Sequence, residues 1–197
     1  MMSMKQLRWL LSGLLLQIST AQAADANGEF VVKGAGLLPC NVYTAEREKR
    51  SNIYYLIGGW LEGFLSAHNK YAADTYDVVS FEGLELLLAI IDNHCRANPQ
   101  DRLFPVVNTI VAKLNEDRIR SKSAGIELAE GERKTVLYRE TIQRIQEKLK
   151  QLGLFHAEID GMFNDATRSA VIAFQTDIGF ETTGFPDQAT LWRLFRR

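Results

Sequence analysis

Only two cysteines, four prolines and three histidines occur in 197 residues, and charge of neither sign prevails, with 23 basic against 24 acidic side chains for a formal net of -1. Each scarcity excludes something. Two cysteines cannot build a disulfide-dense miniprotein. The histidines, His68, His94 and His156, form no HExxH pattern and fall short of the three ligands and base that a zinc hydrolase needs, so no metal or other cofactor is expected. No GxSxG is present. Without an overall basic field, neither nucleic acid nor an anionic membrane surface is an expected partner. What remains, 46% hydrophobic and 24% charged residues, is the composition of an ordinary folded protein.

The N-terminus carries the first functional signal. Lys5 and Arg8 precede an apolar stretch from Trp9 to Ile18, and Ala21-Gln22-Ala23 places small residues at the two positions a signal peptidase reads. Ten apolar residues span only ~15 Å as a helix, half of a ~30 Å hydrocarbon core, so residues 1–23 are read as a cleaved secretory signal rather than an anchor. No later stretch approaches 18 uninterrupted apolar residues, and no membrane span is expected in the mature chain. Removal of Lys5 and Arg8 leaves 21 basic against 24 acidic residues, or -3.

Export changes the reading of Cys40 and Cys95. In an oxidising compartment a lone pair forms a structural disulfide, and closing a loop of about 56 residues restricts the unfolded chain by roughly 4 kcal/mol in the loop-entropy model. The alternative, thiol catalysis, has no nearby histidine in a recognisable activating arrangement.

Helical spacing of Ile53, Ile57, Trp60, Leu61, Phe64, Leu65 and His68 predicts a helix over about 52–72, with Gly59 and Gly63 on one face, where close packing of another backbone is expected. A second helix is expected after Ser80 as N-cap, through Leu84, Leu87, Leu88 and Ile91 to Cys95, and Asn98-Pro99 stops it. A third carries Phe104, Val107, Ile110, Val111 and Leu114, with Pro105 in its first turn. These elements define a disulfide-tied helical domain over 24–116.

Residues 117–138, rich in charge and poor in apolar rhythm, read as a linker, with a solvated helix as the alternative. Beyond it Ile142, Ile145, Leu149 and Leu152 line one face of a helix that ends at Gly153. DGMFNDAT at 160–167 then aligns with TGFPDQAT at 183–190, an offset of 23, and an amphipathic run follows each. A glycine of positive φ, an Asn or Asp cap and Ala-Thr in the first helical turn recur in both. The fold class expected is therefore all-α, with a three-helix C-terminal domain over 139–197 and a core independent of the first.

Those residues carry a resemblance. The Ile-Gln helix ending in LG, the DG-x-F turn, the ATRSAVIAFQ run and the later TGFPDQATL resemble the small three-helix peptidoglycan-binding domain, over Glu140 to Phe195. Asn164 stands where that family usually has glycine, a substitution compatible with a left-handed turn or a cap. The resemblance implies recognition of cell-wall peptidoglycan in a shallow groove. Candidate ligand-binding residues are Asp160, Phe163, Thr167, Arg168 and Gln175: a cation for a carboxylate, amide-bonding groups, and a ring for methyl groups. Each also has a structural reading as turn, core or solvated helix residue. Eight basic and eight acidic side chains over 138–197 offer a zwitterionic polymer no net repulsion.

The WLEGFLSAHN run from Trp60 and CRANP from Cys95 resemble small disulfide-tied helical proteins of the periplasm, acid-stress chaperones and effector-immunity proteins, over roughly 38–116. That resemblance implies a protein partner. No Ser-His-Gly-Cys run of wall transpeptidases is present, and the sole suggestive carboxylate set for a glycosidase is Glu62 with Asp74 or Asp77. The sequence therefore predicts an exported, periplasmic, non-catalytic peptidoglycan-binding protein; the alternative is a wall hydrolase centred on Glu62.

Overall fold

A computed structural model describes residues 24–196. The signal-peptide reading of residues 1–23 lies outside the described residues. The chain divides into two compact units, Met1–Val31 and Val32–Arg197. In the first, residues 25–29 form a turn in which the Asp25 carboxylate accepts the backbone N–H groups of Asn27 and Glu29, both at 2.8 Å.

Within the second unit, α1 (Cys40–Glu48), α2 (Asn52–Tyr71), α3 (Leu84–Ala97) and α4 (Leu103–Leu114) come first. The hairpin of β1 (Gly125–Glu130) and β2 (Arg133–Tyr138) follows, then α5 (Arg139–Gln151), α6 (Asp165–Asp177) and α7 (Gln188–Phe195). The fold is mostly helical, as the hydrophobic spacing predicts, and the hairpin is its departure from all-α.

The first four helices enclose one apolar cluster. Ser51 caps α2 by accepting the Tyr54 N–H, and α2 turns Tyr54, Ile57, Leu61 and Leu65 inward against Leu87, Leu88 and Ile91 of α3 and Val107 and Val111 of α4. The disulfide Cys40–Cys95, fully buried, ties the start of α1 to the end of α3. Beside it the Cys40 N–H donates to the Asp101 carbonyl at 2.8 Å, and Tyr43 of α1 donates its hydroxyl to the Leu88 carbonyl at 2.5 Å. Trp60 stacks on Phe64 at 5.7 Å and donates its indole N–H to the Lys33 carbonyl at 3.0 Å. Gly36 lies under that indole, where a Cβ would come within 2.5 Å of the ring, so only glycine fits.

Two expectations for this part are corrected. No backbone packs on Gly59 or Gly63, since a Cβ added at either would meet nothing within 4 Å. Ser80 does not cap α3, which begins after Gly83. Instead Glu82 accepts the N–H groups of Ser80 and Phe81, both at 3.2 Å, and residues 80–83 stay out of the helix.

The linker expected over 117–138 contains the hairpin. Ile126 and Leu128 alternate with polar residues on β1, Leu137 is buried on β2, and Gly131 (φ +59°) opens the two-residue turn between Glu130 and Arg133. The inward residues pack on the second cluster, formed by Ile142, Ile145, Leu149, Phe155, Ala170, Val171, Phe174, Leu191 and Leu194. Phe81 belongs to that cluster too, and Leu86 of α3 packs against it. The two cores are joined rather than independent. Thr141 donates to the Ser80 carbonyl at 2.7 Å, Gln188 brackets residues 81–83 by donating to the Phe81 carbonyl at 2.7 Å and accepting the Gly83 N–H at 2.8 Å, and Arg196 pairs with buried Glu82 at 2.8 Å.

Candidate functional site

The repeated segments of the C-terminal part build two equivalent turns, each locked by one buried glutamine. In the first, Gln146 of α5 accepts the Gly161 N–H at 2.9 Å and donates to the Asp160 carboxylate, the Met162 carbonyl and the Thr167 hydroxyl at 2.8, 3.1 and 2.9 Å. In the second, Gln175 of α6 accepts the Gly184 N–H at 2.8 Å and donates to the Thr183 hydroxyl, the Phe185 carbonyl and the Thr190 hydroxyl at 3.3, 3.1 and 3.1 Å. Asn164 and Asp187 then cap α6 and α7 by accepting the N–H groups of Thr167 and Thr190. Asn164 has φ -91°, so it serves as a cap and not as a left-handed stand-in for glycine.

Both glycines need positive φ, +71° in each, and both need the missing side chain. A Cβ on Gly161 would lie 2.7 Å from the Arg139 stem, and one on Gly184 would lie 2.8 Å from the Arg168 stem. Arg139 and Arg168 thus occupy equivalent places on α5 and α6, each laying its methylenes under a turn.

This geometry sorts the five candidate ligand-binding residues. Thr167 and Gln175 are fully buried with their polar atoms bonded inside the fold, so they hold turns and offer no group to a ligand. Asp160 is accessible, but its carboxylate accepts from Gln146, from the Met162 N–H at 2.8 Å and from Asn164 at 3.2 Å. These bonds, the Gln146 amide first and the Met162 N–H next, hold its pKa below the ordinary aspartate value. Phe163 and Arg168 remain as the partly accessible side chains: the Phe163 ring packs one side against the second core, and the Arg168 side chain is half-buried. The Arg168 guanidinium lies 5.7 Å from the centre of the Phe163 ring and pairs with Glu130 at the end of β1 at 2.5 Å. Asp160, Phe163 and Thr167 belong to the first turn and Gln175 to the second, while Arg168 joins them, its stem under Gly184 and its guanidinium near Phe163. Exposed Met162 and Ile172 extend the apolar surface beside Phe163 and Arg168. A ring, a planar cation and flanking methyl groups can hold amide planes and short apolar substituents.

Sequence reasoning missed Gln146 and Glu130. Gln146 had a readable signal, because it interrupts the apolar stripe of Ile142, Ile145 and Leu149 as Gln175 follows Phe174, but the helices repeat at an offset of 29 and the turns at 23. Glu130 had none, since its partner is 38 residues away across a hairpin read as linker.

Elsewhere Asp74, one partner considered for Glu62, is bound by Arg118 and Arg120. Asp77 does share an opening with Glu62. Its carboxylate is already engaged by Asn69 at 3.0 Å, the Val79 N–H at 3.2 Å and the Tyr138 hydroxyl at 2.7 Å. Burial and that last bond push the Tyr138 pKa well up. Among the described residues no three His, Cys, Asp or Glu side chains are grouped to hold a metal, and no helix is long and apolar enough to cross a membrane.

The chain is similar to a protein of Synechococcus elongatus described as "Putative OxPP cycle protein OpcA", 42% identical over 48 residues, which are 24% of this chain and 11% of that protein. This chain thus spans about a tenth of that relative's length. No solved structure matches it. Residues 138–194, the segment with the two glutamine-locked turns, match the family described as "Putative peptidoglycan binding domain".

Proposed function

We propose that this is an exported, periplasmic and non-catalytic protein, whose C-terminal domain holds peptidoglycan through the Phe163–Arg168 surface and whose disulfide-tied N-terminal part engages a protein partner. The family match over 138–194 carries the reading. The accessible ring and guanidinium support the choice of surface, and the buried disulfide supports an oxidising compartment. Full-length mature protein is expected to co-sediment with purified sacculi at low and moderate salt. Arg168→Ala should lower the bound fraction about tenfold, the scale of one lost charge-assisted contact, with an unchanged circular-dichroism spectrum. A folded wild-type protein that stays in the supernatant overturns the wall reading.

One observation favours a second reading, a wall hydrolase centred on Glu62. Glu62 is exposed, makes no side-chain bond or ion pair among the described residues, and opens beside Asp77. Against it, the three donors on Asp77 leave that carboxylate poorly placed to act as a base. Release of soluble fragments from sacculi by wild type but not by Glu62→Gln would replace the non-catalytic reading.

A further inference from the structure

Between residues 80–81 and the helices α5 and α7 lies a partly open cavity of about 210 Å³. Ser80, Phe81, Arg144, Lys148, Phe195 and Arg196 line it, so the four-helix part and the three-helix part both contribute walls. It is not a property of the peptidoglycan-binding domain alone.

Its donors are unequal. Arg196 is committed to Glu82 and Asp117, and Arg144 to Glu140 and to the carbonyls of Asp117 and Arg118. Thr141, also in the wall, donates its hydroxyl to the Ser80 carbonyl. Lys148, by contrast, makes no ion pair or side-chain hydrogen bond among the described residues. Ser80 is only 7% exposed, and its hydroxyl, with no partner among the described residues, reaches the solvent of the opening. A buried residue with a free hydroxyl and an uncommitted ammonium thus open onto one space, in the field of two guanidinium groups held by other contacts. Unused donors in a partly open cavity whose one uncommitted charge is positive suit an anionic acceptor.

The rest of the wall narrows the class. The Phe81 and Phe195 rings, 5.3 Å apart, form an apolar side, which a bare inorganic anion leaves unused. Asp117 opposes a second negative charge, and one uncommitted cation matches one charge. We propose that this cavity binds a small monocarboxylate bearing a short apolar group, its carboxylate on Lys148 and Ser80 and its apolar part against Phe81 and Phe195. This goes beyond the wall-binding reading and does not depend on it.

The test uses the protein beginning at Ala24, titrated with N-acetylalanine, with its C-terminal amide and with inorganic phosphate, and followed by calorimetry and by the backbone amide shifts of Phe81, Glu82 and Phe195. The acid should shift those amides and bind at least about tenfold more tightly than the amide, which lacks the charge. Lys148→Gln should weaken the acid about tenfold and Ser80→Ala about threefold, charged and neutral donors differing by roughly that factor. Equal binding of acid and amide, phosphate binding as tight as the acid, an unaltered affinity in Lys148→Gln, or no shift at ~20 mM acid, a concentration above any specific Kd, each overturns the proposal. Lys148→Gln should still sediment with sacculi as wild type does, so failure of this inference and failure of the wall reading are told apart.

Discussion

Gln146 makes the sharpest statement about a single residue. Its side chain is fully buried, and one amide satisfies a backbone N–H, a carbonyl, a hydroxyl and a carboxylate that otherwise have to be paired in a largely apolar core. Removing it strands several of those groups at once. Gln146→Ala is expected to destabilise the protein by on the order of 2–4 kcal/mol in urea denaturation, the range for a broken buried network. The same change has a pH signature. Asp160 has a folded pKa below its unfolded one, chiefly through Gln146, so its contribution to stability is present above the unfolded value and is lost as pH falls through the folded one. Without Gln146 that depression shrinks, and the acid-side fall of stability becomes shallower in the variant than in the wild type. An acid limb of unchanged steepness would mean that the Met162 N–H alone holds the carboxylate.

Elements differ in how openly the sequence announces them. Helix α2 was legible nearly to the residue, because six apolar side chains and His68 recur at helical spacing; its Ser51 cap was not read. The repeated turns were legible as repeats, and the cap at Asn164 with them. The hairpin was not. Its alternating apolar positions, Ile126, Leu128 and Leu137, are few and embedded in charge, and what fixes them inward is a core supplied by α5 and α6. The candidate site suffered in the same way: residue types suited to ligand contact were read from 160–175, but only burial separates Thr167 and Gln175, which lock turns, from Phe163 and Arg168, which stay partly accessible. Glycines 59 and 63 show a different limit, since spacing placed them on one face but could not say that the face is open. That openness is itself testable. A Cβ on either glycine would have nothing within 4 Å of it, and the backbone at both is helical. Gly59→Ala and Gly63→Ala should therefore each raise stability by about 0.5–1 kcal/mol in thermal or urea unfolding, the helix-propensity difference. A loss of stability in either would show that the notch is filled.

At the scale of the whole molecule the question is whether the disulfide-tied part and the peptidoglycan-binding part unfold together. The hydrophobic pattern alone assigns each its own core; in the structure Phe81, from the segment before α3, lies in the second cluster and is only 8% exposed. Glu82, with its side chain fully buried, is paired with Arg196 at the far end of the chain. Breaking that pair leaves a buried charge without its partner, and emptying the Phe81 position leaves a cavity, so neither part can unfold without cost to the other. In a protein beginning at Ala24, the two tryptophans report on the two cores separately, Trp60 against the first cluster and Trp192 against the second. Variants keeping one tryptophan at a time, Trp192→Phe and Trp60→Phe, should therefore show coincident urea midpoints, and far-UV circular dichroism should follow the same curve. Reducing Cys40–Cys95 loosens only the first core directly, yet it should lower both midpoints together. Phe81→Ala, costing about 3 kcal/mol for a buried ring, should do the same from the other side. If reduction lowers the Trp60 midpoint and leaves that of Trp192 where it was, the junction through residues 80–83 does not couple the parts, and the peptidoglycan-binding domain is an independent body on a tether.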